Sequence, residues 1–170
     1  MKANRAIVVI YEDTGARQSA VEFCNCLVER FWAKADFAVE WVPFTKLRRA
    51  ASAKAVCEKA VVADLVIFAA QPESEFSPGT KAWIESWLCQ RGDREGVLAG
   101  LFGKEPEVGD KHVYLRSVAH RGGMDYLTGL PQDLFHAMPD SLDSYTERAH
   151  QVTGVLEDIL SKQTPPRILI

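Results

Sequence analysis

The chain has 170 residues, 47% of them apolar and 25% charged, with a net charge of −3. That length suits one domain able to bury about 70% of the surface its unfolded chain exposes. The mild negative charge argues against nucleic acid or an acidic membrane surface as a partner. No apolar run approaches the ~20 residues of a membrane span, and Ala6–Tyr11 is too short for a signal-peptide core, so a cytoplasmic protein is expected.

In chain order, Ala6–Tyr11 opens the pattern as a short, almost continuous apolar run, the mark of a strand covered on both faces. In Ala16–Trp32 the residues Ala20, Val21, Cys24, Leu27, Val28 and Phe31 recur at three- and four-residue steps, which predicts an amphipathic helix. Phe37–Val42 carries Glu40 on one face and suits an edge strand. Thr45 is placed to cap a helix reaching about Val62, with Leu47, Ala50, Ala51 and Val61 as its apolar positions. The basic group Lys46, Arg48, Arg49 and Lys54 falls on the solvated side of that helix.

Asp64–Ala70 is a third strand. Ser77 or Thr80 can cap a helix over Lys81–Gln90, with Trp83, Ile84, Trp87 and Leu88 inward and Arg91-Gly92 as its stop. Gly96–Phe102 is a fourth strand. Lys111–Ser117 has some strand character, but the wider segment from Asp110 fits a helix closed by Gly122-Gly123 better. Met124–Leu130 follows as a short fifth strand, and a last helix is expected from Ser141 to about Ser161, with Tyr145, Ala149, Val152, Leu156 and Ile159 inward. Pro165-Pro166 ends it, and Arg167–Ile170 is an apolar tail suited to packing on the domain or on a partner, a second copy included.

Strands alternating with helices, with no long linker or repeat, predict one domain over residues 1–170, with a core at about 5–162 and a tail at 163–170. Right-handed crossovers then give a three-layer α/β architecture: a doubly wound sheet of five parallel strands in the order 2-1-3-4-5. Such sheets bind ligands at the carboxyl ends of their strands, beside strand one. The four cysteines lack the spacing of a zinc or redox site and read as small, buried or half-buried residues. His112, His120, His136 and His150 have no metal-type spacing either, and GxSxG, GxxxxGK[ST] and GxGxxG are all missing.

Strand one leads into Glu12-Asp13-Thr14-Gly15-Ala16-Arg17-Gln18-Ser19. A turn that opens a helix offers free N–H groups and a positive dipole end to a phosphate. Thr14, Gly15, Arg17 and Ser19 are therefore the candidate anion-holding residues, while Glu12 and Asp13 bring negative charge to the same place. Asp13 or Thr14 is equally suited to capping the helix. After strand three, Pro72, Glu73, Ser74 and Phe76 are the candidate lining of the outer part of that pocket.

The segment Pro72-Glu73-Ser74-Glu75-Phe76-Ser77-Pro78-Gly79, with Lys81, Glu85, Trp87 and Leu88 beyond it, resembles the NADPH-dependent FMN reductase branch of the flavodoxin-like superfamily. In that branch a Pro-Glu-Tyr-Asn loop leads through Pro-Gly into a helix bearing Lys, a carboxylate and Trp-Leu. Thr14–Ser19 is similar to the family's Ser-x-Arg-x-x-Ser phosphate loop with altered spacing. The resemblance implies a flavodoxin-like fold, FMN as the phosphate-bearing small ligand, and hydride or electron transfer carried by that cofactor. Ser74 and Glu75 stand at the family's Tyr and Asn positions, and Phe76 stands where a small residue often lies.

A second expectation starts from the same sheet. Receiver domains of two-component systems end strand one with an acidic pair, as Glu12 and Asp13 do here. They also need an aspartate at the end of strand three and a lysine at the end of strand five. This chain has Ala69-Ala70-Gln71-Pro72 at the first place and no lysine in Met124–Leu130. The alternative is thus a receiver-like regulatory or protein-interaction module without the phosphoacceptor.

Overall fold

The computed structural model describes residues 2–31, 33–73, 75–103 and 109–128. The chain runs β1 (Ala3–Tyr11), α1 (Thr14–Phe31), β2 (Ala35–Pro43), a 3-10 turn (Phe44–Arg48), α2 (Ala50–Val62), β3 (Leu65–Ala69), α3 (Pro78–Arg91), β4 (Val97–Leu101), α4 (Asp110–Arg121) and β5 (Asp125–Leu127). All pairings are parallel, and the sheet order is β2-β1-β3-β4-β5. This is the expected doubly wound sheet. The expected helix at 141–161 and the tail lie outside the described residues.

The period of two along each strand splits the core into two layers. Ile7, Val9, Leu65, Ile67, Val97 and Ala99 face α1, whose stripe Ala16, Ala20, Phe23, Cys24, Leu27 and Phe31 covers them. Val8, Ile10, Val66, Phe68 and Leu98 face the opposite way, under Val56, Cys57 and Ala60 of α2, Trp83, Ile84 and Trp87 of α3, and Leu115 and Val118 of α4. Every residue of β3 is buried, which explains its unbroken apolar sequence.

The helix expected from Thr45 to Val62 is instead two pieces. Phe44 and Leu47 both pack against the core, and the 3-10 spacing brings residues three apart to the same side. Arg49 then turns extended, and the Ser52 hydroxyl donates toward the carbonyls of Lys46, at 2.7 Å, and Arg49, at 3.2 Å. Neither piece has a side-chain cap, so Thr45 does not serve as one. Ala50 and Ala51 are exposed, and Val56, Cys57 and Ala60 form the inward face. Of the cysteines, Cys24 and Cys57 are buried and Cys26 half-buried, whereas Cys89 is exposed, contrary to expectation.

Ser77 is the α3 cap: its hydroxyl accepts from the Thr80 N–H, with Pro78 at the first helical position. Gly92 and Gly123, at φ +61° and +63°, close α3 and α4 in the left-handed backbone region open to glycine. Asp64 joins the strands at their amino ends, its carboxylate accepting from the Ala6 N–H at 3.0 Å and from Arg5 at 3.4 Å. Among the described residues no helix is long and apolar enough to cross a membrane.

Candidate functional site

The carboxyl ends of β1, β3 and β4 converge on one edge. The ladder continues just past the strands there, with Glu12 N–H donating to Ala69 O at 2.9 Å and Ala70 N–H to Leu101 O at 3.1 Å. Gln71 follows at once. Its backbone N–H donates to the Glu12 carboxylate at 2.8 Å, and its side-chain amide donates to Asp13 at 2.9 Å. Its carbonyl accepts from Lys111 Nζ at 2.5 Å, and the same ammonium also donates to the Glu73 carbonyl at 3.1 Å. One residue thereby ties the turn after β1, the end of β3 and the first turn of α4.

Asp13 is the N-cap of α1 in chemical terms, since its other oxygen accepts from the Ala16 N–H at 2.8 Å. The Ala16 N–H, followed by the Gln71 amide, holds its carboxyl below the usual carboxylate range. Negative charge at a helix N-terminus is stabilised by the macrodipole, so the acid suits its place. Of the two capping residues considered from sequence, Asp13 makes the bond.

Thr14, Gly15, Arg17 and Ser19 are all exposed in the first turns of α1. The Arg17 guanidinium lies 4.8 Å from the centre of the Trp41 ring and 5.9 Å from that of Tyr11, so aromatic faces on β2 and β1 hold it. The Ser19 hydroxyl donates to Gly15 O at 3.3 Å. A Cβ at Gly15 would stand 3.5 Å from Asp13 Oδ1, an ordinary contact. These four residues therefore share one helix end, beside the Asp13 cap.

The second group is dispersed. Pro72 is half-buried against Gly103, whose φ is +77°. Glu73 is exposed and contributes its carbonyl to Lys111. Ser74 lies outside the described residues. Phe76 is only 4% exposed and sits inside the core, its ring 5.8–6.2 Å from those of Phe44, Phe68, Phe102 and Tyr114.

Lys111 and Gln71 are the residues that sequence reasoning missed. Lys111 is 4% exposed, with its ammonium 5.6 Å from the Phe76 ring centre and 5.8 Å from that of Phe102. Burial lowers its pKa, and the nearby Glu12 carboxylate works the other way. One signal was present: a lysine in the first turn of a helix opposes the macrodipole and calls for a compensating partner. Next to it, His112 is 5% exposed, and its Nδ1 lies 2.6 Å from the Tyr126 hydroxyl. Among the described residues no group of three or more His, Cys, Asp or Glu is placed to hold a metal ion.

No family model matches the chain, and no curated protein does. Solved structures do. An oxidoreductase from Corynebacterium diphtheriae superposes with a TM-score of 0.62 at 12% identity, over 96% of this chain and all (100%) of that one. An NADH:FMN oxidoreductase in its apo form superposes with a TM-score of 0.51 at 18% identity, over 96% of this chain and 94% of that one. At such identities the likeness is one of architecture. Joined to the sheet order, it establishes that the chain has a flavodoxin-like fold and resembles FMN reductases in that fold.

Proposed function

We propose that this chain is a ligand-binding domain that takes a phosphate-bearing small molecule, FMN being the first candidate, at the carboxyl ends of β1 and β3. The observation that carries the reading is the exposed amino end of α1, with Thr14, Gly15, Arg17 and Ser19, at the strand-order reversal, where doubly wound sheets place their ligands. The shared fold with an NADH:FMN oxidoreductase supports FMN as the probe.

The residues fit FMN at one end. Arg17 would hold the phosphate with the hydroxyl of Thr14, which is three residues earlier on the same side of α1, while Ser19 lies on another side of the helix. Because Asp13 already takes the Ala16 N–H, side chains rather than the helix-end N–H groups carry that contact. At the ring end the fit is poorer among the described residues. Phe76 is buried among four core rings and offers no stacking platform. Binding of the ligand is the function proposed.

Titrating the purified protein with FMN, following flavin fluorescence and thermal stability together, tests the reading. Quenching and a rise in Tm are expected. Arg17→Ala should weaken binding about tenfold, the scale of one hydrogen bond to a charged group. Asp13→Asn, which keeps the cap and removes a charge, should tighten it. A protein that neither quenches FMN nor gains stability from FMN or inorganic phosphate would sink the proposal. The tying of Glu12 and Asp13 to Gln71 favours a second reading, an interaction module that retains the fold while its β1 carboxylates serve structure.

A further inference from the structure

We infer that Gln71, held by Glu12, Asp13 and Lys111, is a clasp that ties together the turns following β1 and β3, and that a ligand entering between those turns must displace it. The inference rests on the proposed binding edge for its second half only. Its first half concerns the protein alone.

The geometry is specific. Gln71 spends its N–H on Glu12, its side-chain NH2 on Asp13 and its carbonyl on Lys111, at 2.8, 2.9 and 2.5 Å. These partners come from two stretches of chain, Glu12-Asp13 and Lys111, each 40 or more residues from Gln71. Glutamine is uncharged, yet it presents two donors to two carboxylates that would otherwise repel each other across the turn. Lys111 supplies the balancing positive charge, and its buried ammonium lies 5.6 Å and 5.8 Å from the ring centres of Phe76 and Phe102, so burial holds it in one place. Thr14 and Gly15, at the mouth of the proposed site, directly follow Asp13, and a Cβ on Gly15 would lie 3.8 Å from Gln71 Nε2. The clasp and the anion-holding helix end are therefore neighbours, and the arrangement that closes one constrains the other.

Two variants separate positioning from bulk stability. Gln71→Ala removes the Asp13 tie and keeps the backbone N–H. Lys111→Met removes the carbonyl ties and keeps a side chain of similar length in the buried position. The first measurement is amide hydrogen exchange of ligand-free protein. Exchange at the residue-71 amide, whose N–H donates to Glu12, should rise about tenfold in both variants, while β3 amides at Val66–Phe68 stay protected. In Gln71→Ala the Asp13 carboxyl should also titrate at higher pH by NMR, because one bond to its charged form is gone; Gln71→Asn, which is one methylene shorter, should recover little of it. Unchanged exchange and an unchanged Asp13 titration would overturn the clasp.

The second measurement is FMN affinity. If the clasp must be displaced, Gln71→Ala binds FMN more tightly than the unaltered protein, by a factor matching its rise in exchange. Equal affinity with raised exchange overturns displacement and leaves the binding reading standing. Binding by neither protein overturns displacement and the proposed function together, and the exchange data still decide whether the clasp exists.

Discussion

Arg91 reaches beneath the carboxyl end of α2 and donates to the carbonyls of Ala60, Val61 and Ala63, and to those of Arg94 and Glu95 beyond its own helix. Those carbonyls lie at the end of α2 and in the turns after α2 and α3, where the helical ladder stops, and a planar fork can serve several at once. Ala60 O also accepts from the Ala63 N–H at 3.3 Å. Burial brings the guanidinium pKa down to about 10, which leaves it protonated at neutral pH. Arg91→Met should therefore destabilise the fold by about 3 kcal/mol, since buried acceptors are left unpaired. Arg91→Lys should recover less than half, because an ammonium reaches fewer of them. Urea denaturation with an unchanged m-value would check both, and a loss under about 1 kcal/mol for Met would refute the account. From sequence, Arg91 was only the last cation before a glycine stop. A side chain's reach to another element is a tertiary fact, and the local pattern carries no trace of it. Phe76 teaches the same lesson: loop position suggested a pocket wall, and packing among four other rings put it inside.

At the scale of elements, α3 and α4 are joined on the surface by Glu85, which accepts from Arg121 at 2.7 and 2.8 Å and from the Tyr114 hydroxyl at 3.0 Å. Burial, then the hydrogen bond to Glu85, pushes the Tyr114 phenol up to about 12. The phenol of an unfolded chain loses its proton near pH 10. The folded pKa is the higher one, so Tyr114's contribution to stability is complete below pH ~10 and is lost as pH rises through about 12. Ultraviolet difference titration of the parent against Tyr114→Phe should show one phenol ionising late, and Glu85→Gln should bring it earlier. A Tyr114 transition near the ordinary value would contradict the pairing. The elements themselves were legible where one periodicity ran unbroken, as in α1 and β3. The Thr45–Val62 segment was misread because two apolar residues three apart, Phe44 and Leu47, favoured a tight turn over a continuous helix. The ambiguous segment after Asp110 did resolve as a helix, α4, with its Gly122-Gly123 stop in place.

At the scale of the whole molecule, the two core layers share a single sheet, and that makes a strong claim about cooperativity. Ile7 and Val9 serve the α1 layer, while Val8 and Ile10, their immediate neighbours, serve the other. Loosening one face must therefore be felt on the opposite face through the same backbone ladder. The parallel order was legible because it follows from strand alternation and crossover handedness. The clasp at its edge was not, because Gln71 and Lys111 are 40 residues apart and meet only once the sheet is built. Leu27→Ala removes a fully buried side chain on α1 and should cost about 2–5 kcal/mol. In a Trp32→Phe, Trp41→Phe background, fluorescence reports only on Trp83 and Trp87, whose rings stack in the layer beneath α3. The expected result is that their transition moves to lower denaturant by the same amount as the far-ultraviolet signal, with the two curves superimposed. If the tryptophan transition stayed at its original midpoint while the helical signal fell early, the layers would unfold separately. The sheet would then be a surface on which two halves rest, and no longer the element that makes them one cooperative unit.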